Sequence, residues 1–156
     1  KNAALLDRML VEFSRLRFMN TSFITCHNPG PRIYNLDTTF SMPAVLMEML
    51  VYTEPGLVEA LPALPQDRFE RGTLRGVLGR GGVMIEELHW NMALQRVFVT
   101  LRSARAQSPV LRFGVPVRFV EAEDAADRGR VARDEKKRGW RIDLPAGKSV
   151  RLRCTM

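Results

Sequence analysis

The chain has 156 residues, of which 46% are hydrophobic and 26% are charged, a composition typical of globular proteins and not of disordered ones. No run of 18 apolar residues occurs, which excludes a transmembrane helix, and the N-terminus lacks the layout of a signal peptide. Two cysteines without a CxxC pair and two histidines argue against a disulfide scaffold and a zinc site, so we expect no metal and no cofactor.

The net charge of +7 is unevenly distributed along the chain. Residues 61–156 hold 19 basic and 11 acidic residues, a surplus of +8, whereas residues 1–60 carry a charge of −1. A basic half raises nucleic acid as a partner, because Lys and Arg neutralise phosphates. The charges are nevertheless dispersed, and the basic cluster at residues 128–138 holds no aromatic side chain that could stack on bases. We therefore favour a solvated surface and expect no nucleic-acid partner.

The first half of the chain predicts two helices separated by a long loop. Residues 3–17 carry apolar side chains at helical spacing, with Asn2 as N-cap, and residues 20–41 have loop composition. A second helix is expected over residues 42–52, capped by Ser41 and with Pro43 in its first turn. Because Glu48 is its only charge, this helix should be buried on all sides. The chain supplies too few neighbours for that, which indicates the end of a larger helical domain.

After Pro55, Gly56, Pro62 and Pro65 the hydrophobic period changes to two. We predict seven strands, over residues 73–78, 83–88, 94–102, 110–113, 115–120, 140–144 and 149–154. Short strands at this spacing are typical of an antiparallel sandwich. The charge-dense residues 121–138 interrupt the pattern and are interpreted as an exposed loop or short helix.

Three stretches occur in an order that suggests a known family. The first is Asn35-Leu36-Asp37-Thr38-Thr39-Phe40, which leads into a helix carrying Glu-Met-Leu. The second reads Val-Glu-Ala-Leu-Pro-Ala-Leu-Pro over residues 58–65. The third runs Gly-Thr-Leu-Arg-Gly-Val-Leu-Gly-Arg-Gly-Gly over residues 72–82 and ends at Trp90. Together they resemble the C-terminal part of glycoside hydrolase family 95, the α-L-fucosidase family.

The resemblance implies a mixed α+β chain, namely the end of an (α/α) helical barrel followed by an antiparallel β-sandwich. Residues 1–55 would be the last barrel helices and an active-site loop, residues 56–71 a linker, and residues 72–156 the sandwich. The activity implied is inverting hydrolysis of α-L-fucosyl or related α-L-sugar linkages in oligosaccharides. The general acid would lie upstream of Lys1, so these residues alone would be inactive and would pack on the barrel domain that precedes them.

Asp37 matches the family's catalytic Asp, and the same loop supplies the candidate sugar-binding residues His27, Tyr34, Asn35 and Thr39. Where the family has Gly and Asn after the Asp, this chain has Thr38 and Thr39. From the residues alone, Asp37 could equally cap the following helix, and His27 and Tyr34 could be surface or packing residues.

Two other classes of function remain open. One is a non-catalytic module, either a carbohydrate-binding or a structural β-sandwich with a helical lead-in. The other is a nucleic-acid-binding protein, which the basic half raises and the missing aromatics weaken. We expect no association with a membrane. The sequence does not give the cellular location, although a glycan hydrolase would favour a secreted or periplasmic one.

Overall fold

The computed structural model describes residues 1–15 and 36–156, and for residues 36–39 it describes the backbone alone. Within these residues the chain forms two α-helices, α1 (Ala3–Arg15) and α2 (Leu36–Leu50), and a 3-10 helix at Ala125–Arg130. The described strands are β1 (Val51–Glu54), β2 (Leu57–Ala60), β3 (Arg71–Leu78), β4 (Val83–Asn91), β5 (Arg96–Ser103), β6 (Val110–Phe113), β7 (Phe119–Ala122), β8 (Val131–Asp134), β9 (Gly139–Ile142) and β10 (Ser149–Thr155).

The strands form two five-stranded sheets. The first sheet has the order β1-β2-β6-β9-β8, and the second has the order β3-β4-β5-β10-β7. Neighbouring strands are antiparallel except β2 and β6, which pair in parallel. The arrangement is consistent with the predicted β-sandwich, because inward-facing side chains of both sheets share one apolar core.

Alternation along the strands builds this core. In β10, Val150, Leu152 and Cys154 are buried while the intervening residues are exposed, as expected for a strand with one face inward. Leu88 of β4 and Leu111 of β6, from opposite sheets, are both fully buried. The two tryptophans, Trp90 and Trp140, also belong to the core.

All seven predicted strands have a counterpart, with ends that differ by up to four residues. Three further strands were not predicted. β1 and β2 lie upstream of the first predicted strand, so the first sheet begins at Val51. β8 lies inside residues 121–138, which were interpreted as a loop or short helix; this segment contains the 3-10 helix but also part of β7 and all of β8.

The glycines of residues 79–82 form the turn between β3 and β4. The Gly79 amide donates to the Val83 carbonyl at 2.8 Å, and Gly82 has a φ of 73°, which favours glycine. Gly72 faces Trp90 across the same pair of strands, and a Cβ at Gly72 would overlap the indole ring. The indole nitrogen of Trp90 donates to the Phe69 carbonyl at 2.8 Å. The packing of the Trp90 ring against Gly72 therefore explains why a glycine stands opposite this tryptophan.

The second helix differs from the prediction in its limits. It begins at Leu36 instead of residue 42 and ends at Leu50, so Ser41 is not its cap and Pro43 lies in its interior. Tyr52, predicted as the helix end, belongs to β1. The helix is also not buried on all sides, since Val45 and Met47 are exposed. The predicted end of an (α/α) barrel is not visible among the described residues.

Candidate functional site

The C-terminal end of α2 is fixed to the sandwich. The carbonyl of Leu50 accepts a hydrogen bond from the Leu61 amide at 2.7 Å, and the carbonyl of Met49 accepts one from Ala63 at 3.3 Å. The Met49 side chain is buried, and Leu61 adopts a φ of 53° that turns the chain back toward the helix. These contacts involve the segment Leu61-Pro62-Ala63-Leu64-Pro65, which is part of the second family-like stretch.

Asp37 lies at the opposite end of the same helix. It is the second residue of α2, and Thr39 follows in the same turn. At a rise of 1.5 Å per residue, the 13 residues from Asp37 to Leu50 separate the two backbone positions by about 20 Å along the helix axis. The Asp37 backbone therefore lies at the end of α2 remote from its junction with the sandwich.

For the predicted site residues, the structure describes only backbone positions in α2. Asp37 and Thr39 are helical residues whose side chains are not described, and His27, Tyr34 and Asn35 lie outside the described residues. The alternative role of Asp37 as a cap beside Ser41 does not fit the observed helix, since the helix has already begun at Leu36. An N-cap residue must precede the first helical residue.

A group of polar side chains surrounds the other end of α2. The Lys1 ammonium lies 3.7 Å from the centre of the Tyr52 ring and 2.6 Å from the Glu59 carboxylate. The phenol of Tyr52 donates to Glu54. This hydrogen bond, followed by desolvation, raises the pKa of Tyr52 above its usual value.

A cleft of about 300 Å³ adjoins this group, with Leu6, Val45 and Met49 among its lining residues. The lining residues come from α1, α2 and β1, together with Lys1, Asn2 and Ala63, so the cleft lies where the two helices meet the first strand.

A second notable surface is the outward-facing side of the second sheet. It carries six arginines, namely Arg71, Arg75, Arg96, Arg102, Arg151 and Arg153, and we call it the arginine face. The sequence alone indicates only the excess positive charge of residues 61–156. The signal that could have located the surface is the alternation of arginine with apolar residues in β10, Val150-Arg151-Leu152-Arg153.

No group of three or more His, Cys, Asp or Glu side chains is arranged to hold a metal ion in the described ranges. None of the helices described is both long and apolar enough to cross a membrane.

No family model matches the chain. The comparison with curated proteins supports a fucosidase-like relationship. The protein concerned is α-L-fucosidase 2 of Arabidopsis thaliana, which is 34% identical to this chain over 65 residues. The matched segment is 42% of this chain and 7% of the length of the plant protein, so the chain corresponds to a small part of that relative.

Proposed function

We propose that this chain is the C-terminal portion of an inverting glycoside hydrolase of family 95 that cleaves α-L-fucosyl or related α-L-sugar linkages. The observation that carries the proposal is the 34% identity to an α-L-fucosidase over 65 residues. The order of the three family-like stretches and the β-sandwich that contains the third of them support it.

The exposed apolar side chains of the two helices support the further proposal that they pack on a helical barrel domain upstream. Leu5 and Met9 of α1 are 43% and 45% exposed, one helical turn apart, and Phe40 of α2 is 73% exposed. Side chains of this kind are normally buried, and a neighbouring set of them marks an interaction surface. In this proposal the helices of residues 1–50 complete the barrel, and the sandwich, which begins at Val51, is an accessory domain attached to its last helix.

The proposed chemistry assigns Asp37 to the water-activating side of the reaction. An inverting glycosidase uses one carboxylic acid to protonate the leaving oxygen and another carboxylate to activate water, about 6.5–9.5 Å apart. Asp37 would be the carboxylate, a Glu upstream of this chain would be the acid, and His27, Tyr34, Asn35 and Thr39 would line the sugar subsite. A position at the start of α2 suits a charged carboxylate, because the N-terminal end of a helix carries a partial positive charge.

The decisive experiment replaces Asp37 by Asn in the complete protein and measures turnover of an aryl α-L-fucoside. The change keeps the size of the side chain and removes its charge, so turnover should fall by at least about 10²-fold, the usual contribution of a positioned acid or base. The free energy of unfolding should fall by no more than about 0.3–1 kcal/mol, the value of a carboxylate in a first helical turn.

Asp67→Asn is the matched control, because Asp67 is exposed and forms no ion pair with the described residues. Near-normal turnover of Asp37→Asn, together with a markedly lower melting temperature, would assign Asp37 a structural role. If the unmodified protein hydrolyses no α-L-sugar, restoring Gly and Asn at Thr38 and Thr39 tests whether those substitutions inactivated the site.

A further inference from the structure

We propose that the arginine face binds an acidic polysaccharide through the carboxylates of its uronic-acid units. This function goes beyond the proposed hydrolysis and rests on different residues. Three features of the face carry it: arginines that lack acidic partners, an exposed aromatic ring in the row of one of them, and interleaved carboxylates that limit the charge density of a fitting ligand.

The arginines divide into two sets of three. Arg75 donates twice to Glu87, Arg153 donates twice to Glu121, and Arg102 lies 3.7 Å from Glu86. Arg71, Arg96 and Arg151 form no ion pair with any residue that the structure describes. A guanidinium without a fixed partner can bind a carboxylate through two parallel hydrogen bonds, which makes arginine the preferred residue for this ligand.

The strands of the first sheet differ from the arginine face in this respect. Arg112 donates to the Lys137 carbonyl at 2.6 Å, and Arg133 pairs with Glu135 at 3.2 Å. Arg141 lies 3.9 Å from Asp143. Each arginine in a strand of the first sheet therefore has an acceptor within the described part of the chain, whereas half of those on the arginine face have none.

The strand register aligns the arginines with aromatic rings. Across β5, β10 and β7, Arg96 stands opposite Thr155, which stands opposite Phe119. Strands lie about 4.8 Å apart, so Arg96 and Phe119 are about 10 Å apart in one row. Phe119 is 70% exposed, and Phe98, partly exposed in the neighbouring row, lies 6.1 Å from the His89 ring. An exposed ring two strands away from a guanidinium can pack on one sugar while the guanidinium binds the carboxylate of the next.

Charge density favours an acidic polysaccharide over a nucleic acid. The face carries six arginines and three glutamates, a surplus of +3. Duplex DNA carries one negative charge per about 1.7 Å of axis and would bring phosphates against Glu86, Glu87 and Glu121. A polysaccharide spaces its carboxylates by whole sugar rings, and its hydroxyl groups can donate to those glutamates.

The test measures binding of the 156-residue chain to polygalacturonate, with its methyl-esterified form as the uncharged probe on the same backbone. Retardation in an electrophoresis gel containing each polymer gives the relative affinities. We expect the chain to bind polygalacturonate, and we expect added salt to weaken this binding. Binding to the ester should be at least about tenfold weaker, because esterification removes the charged carboxylates to which the arginines would donate hydrogen bonds.

The variant Arg96→Gln with Arg151→Gln should weaken binding to polygalacturonate by at least about tenfold. The matched control, Arg105→Gln with Arg128→Gln, removes the same charge from exposed positions outside the sheet and should change binding by less than about twofold. Phe119→Ala, which leaves the charge intact, should also weaken binding. Circular dichroism verifies that each variant is folded.

Several results would overturn the proposal. Equal losses in the two arginine pairs would mean that binding follows net charge alone. Equal binding of the ester would exclude carboxylate recognition, and tighter binding of single-stranded DNA than of polygalacturonate would assign the face to nucleic acid. Because the readout is binding, these results are independent of whether Asp37 is catalytic.

Discussion

The two helices have a more apolar sequence than the sandwich, yet they bury far fewer of their side chains. The sandwich encloses its own core, in which residues such as Leu88, Leu101 and Ile142 are fully buried. In contrast, α1 contains no buried residue, and among the described side chains of α2 only Met42 and Met49 are buried. An apolar sequence favours burial, but within the described chain the pairing of two sheets supplies most of it.

The largest expected effect tests whether the sandwich is self-sufficient and where it begins. A chain of residues 48–156 retains β1, β2 and the Met49 contact, and we expect a monomer that unfolds cooperatively. A chain of residues 66–156 lacks the strand that pairs in parallel with β6 and loses the buried Val58 and Leu61. It should aggregate or melt without cooperativity, as seen by calorimetry and size-exclusion chromatography. Equal behaviour of both chains would show that the first sheet does not need β1 and β2.

A pair of identical substitutions sharpens the contrast between the regions. Leu88→Ala removes a fully buried side chain and should lower the free energy of unfolding by about 2–5 kcal/mol. Leu5→Ala removes a side chain of α1 that is 43% exposed, and it should change the free energy of unfolding by less than about 0.5 kcal/mol. Urea unfolding of the chain measures both. A comparable loss at Leu5 would mean that α1 is an integral part of the folded unit.

The strands were predictable where alternation was long enough to be recognised. β10 alternates over seven residues and was located almost to its ends. β1 was missed because Val51 and Tyr52 continue an apolar helical run without a breaking residue, and β2 because four residues between prolines give too short a pattern. β8 is an edge strand with little apolar content, so its charged residues favoured a loop.

The candidate site was less accessible to sequence reasoning. Pro43 was assigned to a first turn, where proline is favoured, but it lies inside α2, where it removes a backbone hydrogen bond. Thr38 and Thr39 stand where the family has Gly and Asn, and threonine disfavours a helix less than glycine does. A helix that starts at Leu36 is consistent with that exchange. The subsite residues His27, Tyr34 and Asn35 stay predictions.

A smaller effect is expected on the rate at which a buried cysteine is labelled, which measures how often the core of the sandwich opens to solvent. Cys154 is a free thiol in the core, and burial raises its pKa above its usual value. Because the thiolate is the reactive form, a maleimide should label Cys154 in a Cys26→Ser background only as fast as the sandwich opens. Adding Leu88→Ala should accelerate labelling and Leu5→Ala should not. Labelling of the native chain at the rate of a free cysteine would contradict the closed core.

The smallest expected effect lies at the boundary between the two regions, where Lys1 covers the ring of Tyr52 and Tyr52 donates to Glu54. Since the pKa of Tyr52 is raised in the folded chain, the folded state holds the phenolic proton more tightly than the unfolded state does. The resulting contribution to stability is present below the unfolded pKa, about 10, and is lost as the pH rises through the folded value.

The phenolate absorbance of a Tyr34→Phe background isolates this titration. Glu54→Gln should shift the Tyr52 titration to lower pH, because it removes the first cause of the raised pKa. Glu123→Gln, an exposed glutamate without an ion pair among the described residues, should leave the titration unchanged. An unshifted titration in Glu54→Gln would mean that the phenol is not bonded to Glu54 in solution.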